Sequence, residues 1–423
     1  MTDPQTRVPA SEPSRDEIAS DREVKPSGPW WLEQLISSPR LLTWAARYLG
    51  FLFKLRGLTT VWRYDDVREV LARDEQFPVA WGERMIEVTQ GRNFVLGMRR
   101  DDDYALSYKQ LAEAFPLAEV PALVEPLAAK FAKEALEDKS GRGEIDAVEE
   151  LIAMVATRLC DSYFGVRMGE QKEDRVRFAK ATYAISAYLF DTSNPATYEA
   201  LGGAAAAYLR KTIRDSIAGA RDSPQKDTVL QRMIAMRLDD DTIHAQLFGM
   251  ITGFIPTNVM AGGNILETLL RRPEFLERAR AAALADDDLL LWRCLREALR
   301  FRHINPGPWR ICPLGYTVGE GGPSPTRIRP GRKVLALIQT AMFDPDRIED
   351  PYAFNPLRSD DNYMVFGFGQ HWCVGFSIAR ATATQTFKPL LKLRRLAAAR
   401  SLRARVKRFS SFYPLHLDVA FEP

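Results

Sequence analysis

Phe366 to Gly375 reads FGFGQHWCVG, and the apolar run FSIARATATQTF follows at once over 376–387. Three glycines in ten residues mark a loop and the run after them has helical spacing, which places Cys373 in a loop at the start of a helix. A helix N-terminus offers unpaired N–H groups and a partial positive charge. Both favour thiolate over thiol and moderate what the sulfur donates to a metal. Gly367, Gly369 and Gly375 carry no side chain, so a flat group can lie close against the backbone there.

A buried structural cysteine in a glycine loop is the plainer reading of one such residue, yet it leaves the neighbouring positions unexplained. The pattern FxxGxHxCxG resembles the haem-binding loop of the cytochromes P450, with Phe366, Gly369, His371, Cys373 and Gly375 each on a motif position. The resemblance implies a mainly α fold with small β-sheets (α+β). It also implies a haem b held between a long central helix and the cysteine loop, with the Cys373 thiolate as iron ligand.

Other parts of the chain follow the order found in that family: EALRF, then Pro306 and Arg310, then AMFDPDRIEDPYAFNPLR, then the cysteine loop. Glu297 and Arg300 are three apart and share a helix face. An exposed ion pair is the commonest reading of such a spacing and contributes little stability. On the resemblance, Glu297, Arg300 and Arg358 form a buried charged triad that fixes the segment leading into the loop, while Arg310 and His371 hold haem propionates through charge-assisted bonds. The family's earlier propionate segment is commonly HxxxR on a helix. Its counterpart here is RRDDDYALSYKQL, with Tyr104 and Tyr108 or Lys109 in those places.

The whole chain sets the bounds for this reading. Its 423 residues hold 46% hydrophobic and 27% charged residues, with no clean linker between two cores. Residues 1–29 are polar and Pro-rich and read as a disordered leader, which leaves 30–423 as one haem domain. A net charge of +3 argues against nucleic acid as a main partner. Cys160, Cys294, Cys312 and Cys373 show neither CxxC pairing nor zinc-finger spacing, which fits a reducing, cytoplasmic setting. The stretch Leu41–Leu55, LLTWAARYLGFLFKL, is too short and too charged to span a bilayer. It reads first as a core helix, and second as a surface helix in peripheral contact with a membrane.

Thr59–Tyr64 reads as a strand that hands over to a helix capped by Asp65 and Asp66. From about Ala118 to Arg300 the pattern is helical, with breaks at Lys139–Gly143, Ser193–Pro195 and Gly219–Gln225. Within it, a long helix begins at Asp239–Asp241, ends before Pro273 and is apolar on most faces, so it should cross the core. Short strands and turns follow Pro306.

Where relatives that activate dioxygen carry (A/G)Gx(D/E)T(T/S) on that helix, the counterpart here is Gly253-Phe254-Ile255-Pro256-Thr257-Asn258. The threonine is present and the acid is replaced by proline. Pro256 should kink or open the helix at this point. Thr257, Asn258 and water held by freed carbonyls could then relay protons for monooxygenation of an apolar or lipid-like substrate. Alternatively the oxidant is a peroxide, as in peroxygenases and hydroperoxide isomerases or dehydratases, with Asn258 orienting it. A third reading is a haem-binding protein without turnover.

Candidate pocket residues are Phe248, Gly253, Phe254 and Ile255 on the central helix, with Tyr183, Tyr188 and Phe190 before it. Between Lys388 and Arg408 lie nine basic residues and no acidic one. That run is either a solvated face or a docking site for an acidic ferredoxin or flavodoxin.

Overall fold

Helix Asp240–Leu270 organises the molecule, and it exists because 31 residues there hold an apolar pattern that is buried on nearly every face. Its start is set by Asp239, whose carboxylate accepts the Thr242 N–H at 2.9 Å, with Asp240 and Asp241 in the first turn complementing the helix dipole. Of the two outcomes expected at Pro256, a kink or an opening, the helix does not open. The helix runs unbroken through it. Around the missing N–H, the Thr257 hydroxyl donates to the Gly253 and Phe254 carbonyls, and the Asn258 amide donates to that of Phe254 at 2.8 Å. Side-chain donors thus supplement the backbone ladder where the proline weakens it.

This computed structural model describes residues 38–423, except 56–57, 191–194, 223–226, 323, 402, 404–405, 410–412 and 423. The leader inferred at 1–29 lies outside the described residues. Helices Lys172–Phe190, Pro195–Asp222 and Asp288–Phe301 pack on the central helix, and Phe376–Lys392 packs on Val120–Glu137. Gly219, inferred as part of a break, lies inside a helix that continues to Asp222. Strand Leu58–Val61 pairs parallel with Arg332–Ala336, which pairs antiparallel with Trp309–Cys312. A second small sheet joins Glu144–Asp146, Asp418–Glu422 and Arg394–Ala398. One contiguous apolar cluster extends from Val61 to Phe421.

Two sequence readings shift in detail. Asp65 and Asp66 do not cap helix Tyr64–Ala72. They occupy its first turn, and the Tyr64 N–H is satisfied at 2.9 Å by Asp344 from a distant segment. Helix Pro39–Leu55 is partly a core helix: Leu42, Ala45 and Ala46 are buried, while Leu41, Trp44 and Tyr48 face outward. Among the described residues no helix is long and apolar enough to cross a membrane.

Candidate haem site

The cysteine loop is held by short-range backbone bonds. The Cys373 N–H donates to the Phe366 carbonyl at 2.9 Å, Trp372 to Gly369 at 3.0 Å and Phe376 to Cys373 at 3.2 Å. Gly367 and Gly369 have φ of 79° and 72°, which L side chains rarely adopt, and a β-carbon on Gly369 would lie 2.6 Å from the Leu71 carbonyl oxygen. Gly375 then starts helix Phe376–Lys392. The ring of Phe366 packs edge-on against Phe376 at 5.0 Å and tilted against Trp292 at 5.9 Å.

Cys373 opens onto a cavity of about 290 Å³. The cysteine loop supplies one part of its wall, including Phe366, Gly367, His371, Cys373 and Gly375, and the central helix supplies another through Gly253, Phe254, Thr257 and Asn258. Burial pushes the Cys373 thiol up to about 11, against a weaker opposing contribution from the Gly375 N–H. In the protein alone, desolvation therefore outweighs the helix N-terminus that should favour thiolate, and a bound metal cation is what would reverse the balance.

Two groups on the cavity fit an acidic partner. Arg310 is almost fully buried, with only the Trp309 carbonyl as hydrogen-bond acceptor among the described residues, and burial pulls its guanidinium down to about 10 against the opposing charge of Asp74. The His371 ring meets Asp74 through Nε2 at 2.9 Å, while its buried Nδ1 has no partner. A buried guanidinium and an orphaned ring nitrogen beside a cysteine sulfur suit a group that carries carboxylates at its edge and a metal at its centre. Of the counterparts to the family's earlier segment, Tyr104 is half-buried and reaches the Gln370 carbonyl at 3.3 Å, and Lys109 is exposed. Neither lines the cavity.

Behind the loop, Arg300 and Glu297 are wholly buried and bonded at 2.8 and 2.9 Å, and Arg358 Nε lies 3.3 Å from Glu297. Burial works to raise the Glu297 carboxyl, yet Arg300, the Asn355 N–H and the Tyr363 hydroxyl together hold it below its ordinary value. Arg358 also donates to the carbonyls of Glu349, Asp350 and Ala353, so the three charges clamp the segment that leads to the loop. His303 adds a second tie, its ring bridging the Asn305 and Val365 carbonyls at 2.7 and 2.9 Å.

The inferred pocket residues separate into two groups. Gly253, Phe254 and Phe190 line the cavity, whereas Phe248 and Ile255 are fully buried and turned away from it, because the central helix is apolar all round and only one of its faces meets the open space. Tyr183 stacks on Tyr413 at 6.3 Å, and Tyr188 donates to Glu87 at 2.7 Å, so neither reaches the cavity. The sequence did not single out Trp81, Phe94, Leu96, Phe115 or Phe164, all of which do. Trp81 packs on Phe190 at 5.1 Å and Phe164 on Phe254 at 5.4 Å, both edge-on.

Part of the basic run near the C-terminus is paired with acids from elsewhere in the chain. Lys388 and Lys392 pair with Asp286, Lys388 also with Asp288, Arg395 with Glu422 at 2.6 Å, and Arg408 with buried Glu267 at 2.7 Å.

Comparison with known proteins places the chain in a class. A family model described as "Cytochrome P450" matches residues 49–397, and the chain belongs to that family. It is similar to cytochrome P450 107B1 of Saccharopolyspora erythraea, with 27% identity over 286 residues that cover 66% of this chain and 65% of the relative. It is also similar to a steroid C26-monooxygenase of Mycobacterium tuberculosis, with 28% identity covering 56% of this chain and 61% of the relative. The aligned region thus spans slightly under two thirds of these relatives. Among solved structures, the P450 haem domain of Tepidiphilus thermophilus superposes with a TM-score of 0.75 at 19% identity, covering 96% of this chain and 98% of that one. That likeness is one of fold.

Proposed function

We propose that the chain is a monooxygenase that binds a b-type haem through Cys373 and oxidises an apolar, lipid-like molecule. One observation carries the reading: Cys373, Arg310 and His371 line the same apolar cavity as Thr257 and Asn258 of the central helix. Haem held by a thiolate supplies dioxygen activation and oxygen transfer to an unactivated carbon. Arg310 and the His371 Nδ1 would hold its carboxylates. Trp81, Phe94, Phe164 and Phe254 would exclude water and orient a substrate by shape, since they offer almost no directional bonds.

The acid common on this helix is absent, so proton delivery has to run through neutral groups. The Thr257 hydroxyl rests on the Gly253 carbonyl; rotated from it into the cavity, it would pass its own proton on while Oγ1 accepts one from a water that the Asn258 side-chain oxygen also holds. Such a chain moves a proton without a carboxylate. This reading requires an external electron donor, such as an acidic ferredoxin or flavodoxin. Because several of its cations are engaged by acids of the same chain, the run from Lys388 to Arg408 would not dock that donor as one block.

The test combines a spectrum with turnover. Reduced protein under carbon monoxide is expected to give the red-shifted Soret band of thiolate ligation, lost in Cys373→Ala, and fatty-acid oxidation is expected only with a reductase system. Pigment-free folded protein, or product formed from a lipid hydroperoxide without reductant, overturns the proposal.

A further inference from the structure

Helix Pro39–Leu55 presents a face that the chemistry proposed above does not use. Its inner side, Leu42, Ala45 and Ala46, is buried. The helix packs on strand Leu58–Val61 and on the Ile338–Ala341 turn, whose Ile338 lines the cavity. On the outer side Leu41, Trp44 and Tyr48 are 50%, 53% and 56% exposed. Spacings of three and four gather them within an arc of about 60° on a helix with 3.6 residues per turn. The Trp44 and Tyr48 rings lie 6.0 Å apart, and the Arg47 guanidinium lies over the Tyr48 ring at 5.6 Å.

Charge decides what such a face can meet. The helix sequence, PRLLTWAARYLGFLFKL, contains Arg40, Arg47 and Lys54 and no acid. Arg40 and Arg47 are exposed, and among the described residues their guanidinium groups face the rings of Tyr352 and Tyr48, not carboxylates. Two copies of this face would set like charges against each other, which disfavours self-association through it. Exposed aromatic rings with an apolar body and a polar edge, flanked by cations, instead match the interface of an anionic bilayer, where the rings sit at headgroup depth and the cations meet phosphates.

We propose that the Leu41–Trp44–Tyr48 face docks on an anionic lipid surface, one helix away from the cavity. That the cavity takes its substrate from this surface rests on the apolar-substrate reading above, whereas the docking does not.

The experiment is co-sedimentation of the full-length, haem-loaded protein with vesicles of phosphatidylcholine alone or mixed with phosphatidylglycerol. Partitioning is expected to favour the anionic vesicles by about tenfold or more at low salt, consistent with the usual contribution of a few surface cations. Leu41→Ser with Trp44→Ser and Tyr48→Ser should reduce it at least about tenfold, and Arg40→Glu with Arg47→Glu should abolish the anionic preference. If the apolar triple variant does not fold, the charge-reversed variant carries the test. No binding to anionic vesicles overturns the proposal, as does undiminished binding by the variants. A dimer that the triple variant dissolves, with no lipid affinity in the parent, also overturns it. The haem spectrum of the same samples tests the proposed function separately, so failure of one reading is not failure of the other.

Discussion

Arg300 and Glu297 form a bidentate pair, Nε to Oε2 at 2.9 Å and Nη2 to Oε1 at 2.8 Å, with neither side chain reaching solvent. The remaining capacity of the carboxylate is taken by the Asn355 N–H at 3.0 Å, the Tyr363 hydroxyl at 2.8 Å and Arg358. A buried charge so fully bonded becomes a liability as soon as one partner is removed. Glu297→Gln or Arg300→Met is therefore expected to cost about 3–5 kcal/mol in urea unfolding. Haem content per folded protein should fall with it, because the segment leading to Cys373 loses its clamp.

Gly249 on the central helix receives the ring of Phe94, and a β-carbon there would lie 2.1 Å from Phe94 Cγ. Gly249→Ala should expel the ring, destabilise the protein by about 1–3 kcal/mol and change the spectral response to bulky ligands. Combining it with Phe94→Leu should recover part of the stability in thermal unfolding. Equal effects with and without the Phe94 change would show that ring and glycine are not coupled.

His244 gives the fold a defined sensitivity to acid. Burial, reinforced by Arg214 and Arg210, lowers its pKa to about 4, and its Nε2 has no partner. The folded state thus keeps the ring neutral while the unfolded chain takes up a proton below about 6.5. Stability contributed by this group is present above that value and is lost as pH falls towards 4, by roughly 3 kcal/mol at most. Urea midpoints at pH 7 and 4.5 should differ less in His244→Gln than in the parent.

Thr257→Val keeps the shape of the side chain and removes its hydroxyl. If the relay proposed above operates, turnover should fall by about 10²-fold or more, with ligand affinity nearly unchanged. Asn258→Ala should have a similar effect, whereas an unchanged rate in both variants would leave the proton path elsewhere.

What could be read in the sequence is what lies close together along the chain. The cysteine loop, the Glu297–Arg300 spacing and the long apolar helix are local patterns, and each already places its residues on a loop, a face or a path through the core. The remainder depends on meetings across long separations. Trp81, Phe94, Phe164 and Phe254 share a cavity although nothing in their spacing connects them. Asp74 meets His371 from 297 residues away. Phe248 and Ile255 look like pocket residues because a helix apolar on every face gives no sign of which side meets open space. The basic run looked like one charged surface because the acids that pair with part of it come from Asp286, Asp288, Glu267 and Glu422, most of them far from it in sequence.

Two regions of the cavity wall differ in how they can be altered. The part around Cys373 comes from one continuous stretch tied to the Glu297 clamp, so substitutions there disturb a single indivisible unit. The aromatic part comes from Trp81, Phe94, Phe164 and Phe254, side chains on separate stretches of the chain. A programme of directed mutagenesis could resize the aromatic chamber position by position while leaving the sulfur's surroundings intact, which makes the scaffold a natural starting point for retargeting.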